Sequence, residues 1–288
     1  MINQNPLPNN NTVSLLENVR DFWENNPLFA GESRYEVGSR DFFEEHKKIY
    51  FDDFLNRSFD HNLYTPRLPS DARVLDLGCG IGFWTVELSL RGHFDNIWGA
   101  DLTKTAIQLT GKRLSFYGLK ANLSMQNAEN MSFSDLFFDH VHCFGVLHHT
   151  PNPQAAIKEI ARVLKKDGSA LISVYHTNVF LKFWPFLSGL GAVLCKKGIY
   201  LKGRGRENML MKKDPKDIVR LYDGKDNPIG ISYTKEEIIR AVEPYFTVES
   251  IFLTYFPTRF LPFKVPVFLR RFLAKKTGFL INLRLRKK

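Results

Sequence analysis

Three glycines in Val74-Leu75-Asp76-Leu77-Gly78-Cys79-Gly80-Ile81-Gly82 follow a short apolar run and precede the helix-like Trp84-Thr85-Val86-Glu87-Leu88. Alternate glycines at a strand end let the backbone pass close to a ligand, because any Cβ would occupy the ligand's space. The spacing is G-x-G-x-G, and Phe83 stands where a dinucleotide-binding turn would carry Gly or Ala. Asp76, beside this loop, suits a ligand with an ammonium and a hydroxylated sugar better than a pyrophosphate. Asp101 closes the next apolar run, Ile97-Trp98-Gly99-Ala100, 19 residues after Gly82. A carboxylate there can accept both hydroxyls of a ribose, which points to a nucleoside cofactor without choosing which one.

His148 and His149 follow another apolar run, Asp139–Phe144. A neutral imidazole titrates near working pH and can take a proton from a hydroxyl, an amine or an activated carbon. The competing reading is that the pair caps the next helix or packs in a pocket. His140 and His142 alternate along one strand and share a face, but with no third ligand in view they read as structural rather than metal-binding. Trp23, Tyr35, Phe42 and Phe43 could form a lid, although aromatics at helical spacing are more often core. Arg220-Leu221-Tyr222-Asp223-Gly224 offers further polar groups. No nucleophile–base arrangement or metal cluster is visible, which disfavours hydrolysis.

The elements that must position these groups alternate. Strands are expected at Val74–Leu77, Asn96–Ala100, Ala121–Met125, Asp139–Phe144 and Ala170–Tyr175, with helices at Thr103–Phe116 and Pro153–Leu164 between them. Lys166-Asp167-Gly168 reads as a turn. Strands alternating with helices of this length indicate βαβ units and a parallel sheet. Two helices, Leu15–Glu24 and Asp41–Leu55, precede the alternation, and residues 1–13, rich in Asn and Pro, read as disordered. After Tyr175 the rhythm breaks until Ile231, too long for a plain loop and therefore a cap or insertion. A helix at Thr234–Val242, a strand at Thr247–Thr254, a Pro-rich basic segment and a last strand at Phe279–Leu285 complete the chain.

Five ordered segments, VLDLGCGIGFWT (74–85), GAD (99–101), NAENMSFSDLFFD (127–139), FGVLHHTPNP (144–153) and EIARVLKKDGSALIS (159–173), resemble class I S-adenosyl-L-methionine (SAM)-dependent methyltransferases, particularly the ubiquinone and menaquinone biosynthesis branch. The resemblance implies an α/β, Rossmann-like doubly wound sheet, mostly parallel with the last strand antiparallel, carrying N-terminal helices and a cap insertion. The expected division is a tail and helical lid (1–70), a SAM-binding core (71–176), a cap insertion (177–232), and completion of the sheet (233–288) with a basic apolar insert at 257–277. It also implies that Asp76, Gly78, Gly80 and Gly82 hold the methionine end, Asp76 through water to the ammonium. Asp101 would take the ribose hydroxyls, with Leu102 beside the adenine. The family usually has Asp-Ala-Glu where this chain has Asn127-Ala128-Glu129, so Asn127 could still accept from the adenine amino group but without charge assistance. Ala128 would offer its backbone N–H, Phe144 and Gly145 would line the methionine part, and His148 and His149 would face the transferring methyl group, with either as a possible general base. SAM is already an activated electrophile, so alignment of the reactants can supply most of the acceleration.

The net charge of +10 is unevenly placed. Arg259–Lys288 holds ten Lys or Arg and no acid, and Lys196–Lys213 holds seven against Glu207 alone. Basic residues interleaved with Phe and Leu suit an anionic lipid surface, nucleic acid or acidic substrates; a solvated basic face is the bland alternative. The favoured acceptor is a small-molecule or lipid-like amphiphile, with peripheral membrane contact through the basic apolar segments. A nucleic-acid methyltransferase ranks second, because Gly145-Val146-Leu147-His148-His149 lacks the Asn/Asp-Pro-Pro-aromatic grip on a flipped base and no RNA-binding module is recognisable. A non-catalytic SAM-binding module ranks third. Cys79, Cys143 and Cys195 are odd in number and show no CxxC spacing, which suits a reducing, cytoplasmic setting. The opening residues carry no secretory pattern, and the apolar stretch Phe183–Cys195 has 13 residues, short of the ~20 a membrane span needs.

Overall fold

The computed structural model describes residues 10–55, 60–198, 209–258 and 264–288. Helices α1 (Asn10–Asn25), α2 (Arg40–Asp53) and α3 (His61–Tyr64) lead into the alternating region. That region runs β1 (Arg73–Leu77), α4 (Phe83–Gly92), β2 (Asn96–Asp101), α5 (Lys104–Phe116), β3 (Asn122–Met125), β4 (Phe138–Phe144), α6 (Pro153–Val163) and β5 (Leu164–His176). The insertion contributes α7 (Val179–Lys182), α8 (Trp184–Lys196) and α9 (Pro215–Arg220), and 3₁₀ turns form at Leu147–His149, Met209–Met211 and Leu221–Asp223. The chain then returns through β6 (Ser232–Tyr233), α10 (Lys235–Val242), β7 (Phe246–Thr254), α11 (Val267–Thr277) and β8 (Leu280–Lys287).

The sheet order is β3-β2-β1-β4-β5-β8-β7, with β6 pairing β5 off this path. Pairs β1–β2, β1–β4, β2–β3 and β4–β5 are parallel, whereas β8 is antiparallel to both β5 and β7. The fold is therefore the expected doubly wound, Rossmann-like sheet. β1 stands between β2 and β4, so the chain winds in opposite directions from it and leaves a crevice at the strands' carboxyl ends.

Parity along the strands decides which residues meet which helices. Leu75 and Leu77 of β1 join the core built with Ala156, Ile157 and Ile160 of α6 and Ile238 and Val242 of α10. Val74 points the other way, into a second core with Phe83, Trp84 and Leu88 of α4 and Tyr50 of α2. Helix termini are cut by local chemistry: Asn152 accepts from Ala155 N and Pro153 follows it, while Thr234 and Glu237 form a reciprocal capping box.

Several details differ from the sequence expectation. Helix α1 begins at Asn10, inside the stretch read as disordered, and residues 1–9 lie outside the described residues. Lys166-Asp167-Gly168 does not separate helix from strand. The ladder with β4 already starts at Phe138 opposite Leu164, and the excess residues bulge out before His140 pairs with Ser169. Asp167 takes the left-handed conformation there, φ 58°. The Pro-rich basic segment contains α11, whose N-cap is Pro266; residues 259–263 of that segment are not described, nor are 199–208 of the second basic run.

Parallel strands buried on both faces leave no wet side, so β4 carries its histidines into the interior. His140 Nδ1 meets Ser169 Oγ at 2.8 Å, and His142 lies against Trp84, ring centroids 4.5 Å apart. Burial lowers His140 to a pKa of about 3, and burial with His140 beside it drives His142 well below the ordinary 6.5. The unfolded chain protonates these rings first, so they leave stability unchanged above about pH 6.5 and remove it as pH falls, by about 1.4 kcal/mol per pH unit for each ring. Asp76 acts oppositely. Burial raises its folded pKa to about 7, so the native state holds a proton that an unfolded carboxyl releases above about pH 4. The His142→Leu variant isolates one ring. Urea midpoints at pH 7 and pH 5 should show a loss smaller than that of the wild type by about 1.4 kcal/mol per pH unit below pH 6.5. Equal losses would show that His142 is not held neutral.

Candidate cofactor and acceptor site

The bend after β1 is held by β2. Gly78 N and Cys79 N both donate to Ala100 O, at 2.7 and 3.0 Å, and Gly80 N donates to Asp101 Oδ2 at 3.0 Å. Gly78, Gly80 and Gly82 all have positive φ, at 74°, 55° and 77°. Only glycine adopts these conformations cheaply, but the space around each differs. A Cβ at Gly78 would strike Val146 Cγ2 at 2.1 Å, and one at Gly82 would reach Thr110 Cα at 3.0 Å. A Cβ at Gly80 would meet nothing closer than Gly78 O at 4.0 Å, because it would enter a cavity.

That cavity has a volume of about 250 Å³ and lies at the carboxyl ends of the strands. On one side it is lined by Gly78, Gly80, Ile81, Asp101, Leu102, Gln126, Asn127, Ala128, Phe144 and Gly145. Asp101 anchors this side: Oδ1 accepts from Thr103 N and Thr103 Oγ1 at 3.0 and 2.9 Å. Burial pushes its carboxyl above the ordinary range, and these donors with Gly80 N oppose the shift. Asn127 Oδ1 accepts from Glu129 N at 3.0 Å, which closes a tight turn and leaves the side chain on the cavity wall.

Asp76, Gly82 and Glu129 do not line the cavity. Asp76 shares the face of β1 that carries Val74, so its carboxylate meets α4 and accepts from Thr85 Oγ1 at 2.6 Å. Gly82 packs the α4 N-terminus against Thr110, and Glu129 accepts from Asn152 N at 2.7 Å, just before α6.

The other side of the cavity is apolar and aromatic. Leu16, Val19 and Trp23 come from α1, and Ile49, Tyr50 and Phe54 from α2 and the residue after it. His148 and His149 stand at the end of β4, Tyr175 on β5, Tyr222 and Asp223 on the insertion, and Tyr255 just after β7. Of the aromatics that could have formed a lid, Trp23 reaches the wall, whereas Phe42 and Phe43 are fully buried with Phe29, Ile81 and Leu109. Tyr35 packs against the same cluster.

Two clamps close this side. Glu24 of α1 accepts from Lys104 N, Thr105 N and Thr105 Oγ1 at 2.8, 3.1 and 2.7 Å, so its carboxylate sits on the positive end of α5. On the insertion, Ile231 N donates to His148 O at 3.0 Å and His149 Nδ1 lies 2.7 Å from Ile229 O. His148 is buried with Nδ1 unpartnered, and burial with His149 beside it depresses its pKa strongly, so the ring is neutral. Tyr222, Asp223 and Tyr255 were not assigned roles from the sequence. The polar cluster at Arg220–Gly224 was the one signal, and nothing local said that it returns to the histidines.

A family described as a methyltransferase domain matches residues 75–172, the stretch that builds the strands and loops of this cavity. These residues match that domain family, and the sheet order above is the Rossmann-like one. Among curated proteins, a ubiquinone biosynthesis O-methyltransferase of Dechloromonas aromatica is 32% identical over 107 residues, 37% of this chain and 45% of the relative. A demethylmenaquinone methyltransferase of Bacillus licheniformis is 29% identical over 130 residues, 45% of this chain and 52% of the relative. The chain thus spans about half the length of the curated relatives it matches. A solved SAM-dependent methyltransferase from Methanosarcina mazei shares the fold, with 22% identity, a TM-score of 0.54 and coverage of 79% of this chain and 95% of that one.

The Glu24 clamp is testable. Removing a capping carboxylate costs about 1–2 kcal/mol, so Glu24→Ala should speed hydrogen exchange of the α1 amides about 5- to 30-fold. Unchanged exchange would show that another contact holds α1 over the cavity.

Proposed function

We propose that the protein transfers the methyl group of SAM to a small, amphiphilic, lipid-like acceptor. The carrying observation is one cavity with two chemistries: a glycine bend and a carboxylate on one side, a wall of aromatic and aliphatic side chains on the other. The residues present fit the donor. Asp101 offers acceptors for ribose hydroxyls, Leu102 an apolar surface for adenine, and the Gly78–Gly80 backbone a close approach that side chains would block. When bound, SAM supplies a methyl carbon activated by a sulfonium. The chain's part is to orient the reactants, exclude water with α1 and the insertion, and hold the acceptor's proton. The relatives named for ubiquinone and menaquinone biosynthesis support an acceptor of lipid-like character.

The exterior supports a membrane-bound source for that acceptor. Phe186 is 83% and Phe268 is 76% exposed, on α8 and α11, helices that carry no acidic residue. Asn178 Nδ2 donates to Thr277 O at 3.0 Å and Phe180 packs on Phe256 at 5.6 Å, which brings the start of the insertion to the end of α11. Exposed rings, with Arg271, Lys275 and Lys276 also exposed on α11, suit an anionic lipid surface, where each cation contributes about 1 kcal/mol. No helix among the described residues is long and apolar enough to cross a membrane.

Calorimetry with SAM and S-adenosylhomocysteine tests the donor. Asp101→Ala should weaken SAM about 10- to 150-fold, the equivalent of about 1.5–3 kcal/mol for lost hydrogen bonds to a charge. Gly80→Val should abolish binding. Wild-type protein that binds neither compound would end the proposal. Radiolabelled SAM with a whole-cell extract, split into lipid, RNA and protein, should label the lipid fraction, and label confined to RNA would overturn the acceptor class.

Sedimentation with phosphatidylglycerol vesicles should capture the wild type at low salt. The Phe186→Ser/Phe268→Ser double variant should be released. Equal capture by phosphatidylcholine vesicles would refute the electrostatic part.

A further inference from the structure

The surroundings of His149 commit both of its ring nitrogens. Nδ1 lies 2.7 Å from Ile229 O, and a carbonyl oxygen only accepts, so Nδ1 carries the hydrogen. Nε2 lies 3.3 Å from Asp223 Oδ2, and the Tyr175 hydroxyl donates to that same oxygen at 2.5 Å. A bare lone pair on Nε2 facing a carboxylate oxygen would be repulsive. One proton therefore belongs between the ring and the carboxyl. The hydrogen that Tyr175 donates favours charge on Asp223. The titratable neighbours agree with one shared proton in this place. His148, its ring centroid 4.2 Å from that of His149, is neutral, the Tyr175 hydroxyl donates to Asp223, and the Tyr222 hydroxyl pairs with that of Tyr255. Trp23 of α1 packs edge-on to His149 at 5.1 Å.

A free imidazole acting as base at His149 does not fit this arrangement. We propose that His149 and Asp223 work as one unit holding a shared proton, in which Asp223 takes the acceptor's proton and His149 is a positioning residue. The inference rests on the methyl-transfer reading above. In the step, the acceptor's X–H bond breaks and its proton passes to the Asp223 carboxylate. The electron pair on X forms the bond to the methyl carbon, and the carbon–sulfur pair leaves with sulfur. Charge and protons balance with no further reactant, and Asp223 returns its proton to solvent after release. A carboxylate is a weak base, yet it suffices, because an oxygen or nitrogen becomes strongly acidic as its bond to the methyl group forms. The pair also places the reaction's proton handling on the insertion rather than on the strands of the sheet, since Asp223 ends the 3₁₀ turn Leu221–Asp223.

Nitrogen-15 NMR of the full chain, labelled at histidine, reads the pair directly. In the wild type at pH 7, both His149 nitrogens should be protonated, and in Asp223→Asn Nε2 should lose its proton while SAM affinity by calorimetry stays within about twofold. Incorporation of label from SAM into the lipid fraction should fall about 10²- to 10⁴-fold in Asp223→Asn, and less in Tyr175→Phe. A neutral His149 in the wild type, or turnover unchanged in Asp223→Asn, would overturn the inference. Failure of the wild type to bind SAM would instead sink the methyl-transfer reading, and the NMR result would stand apart from it.

Discussion

The carbonyl of Ala100 carries the architecture of the site. It accepts two consecutive amides, Gly78 N and Cys79 N, and so forces the chain leaving β1 to turn over the end of β2. Once that turn is made, Gly80 N must point at Asp101, and the left-handed conformations of the three glycines follow. Arg113 seals the arrangement from behind: its guanidinium donates to Ile81 O at 3.3 Å and to Phe43 O at 3.4 Å, joining α5, the bend and α2. Burial lowers its pKa only to about 10, so it remains a cation at working pH. A buried cation tied to backbone carbonyls on two elements penalises any sliding of α2 relative to the bend.

The bend supplies half of the cavity, and the other half is assembled by contacts between distant parts of the chain. α1 would have little reason to lie over the strand ends on its own, but Glu24 finds the unpaired amides at the start of α5. The insertion is held differently, by backbone pairing: β6 continues along β5 at Tyr175 and His176, and residues 229 and 231 grip the His148-His149 turn. Tyr222 and Tyr255 share a hydrogen bond between hydroxyls, and Phe54 stacks on Tyr255 at 3.8 Å. The acceptor side is thus a junction of α1, α2, the insertion and the end of β7.

This division explains what was readable in the sequence. β1, β2, β4 and the glycine bend were legible because each is a short apolar run closed by local punctuation. The class of sheet followed from alternation alone. The immediate partner of Asp76 was not legible, because only strand parity, counted from Val74, turns its carboxylate toward Thr85 of α4. α11 was hidden by its basic, Pro-flanked sequence, although a proline directly before an apolar run is a helix-start signal. Asp223 stood out only as one of the polar groups in Arg220–Gly224, and no pattern gave its partners. Its partners lie across an insertion whose fold depends on the sheet it returns to, as the separation of 80 residues between His149 and Ile229 illustrates.

Asp101 shows why binding and folding are entangled here. A carboxylate presents about four lone-pair positions, and three are taken by Gly80 N, Thr103 N and Thr103 Oγ1. The donors that fix the carboxyl's orientation also offset the cost of burying its charge. A ribose placed in the cavity would meet an acceptor already aimed and already desolvated, so little ordering remains to be done on binding. The same economy means that removing the carboxylate frees the amide of Gly80 as well as a ligand contact. Loss of SAM affinity on that substitution therefore measures the bend and the hydrogen bonds together, and a side chain at Gly80 likewise combines backbone strain at φ 55° with a Cβ that would enter the ligand's space.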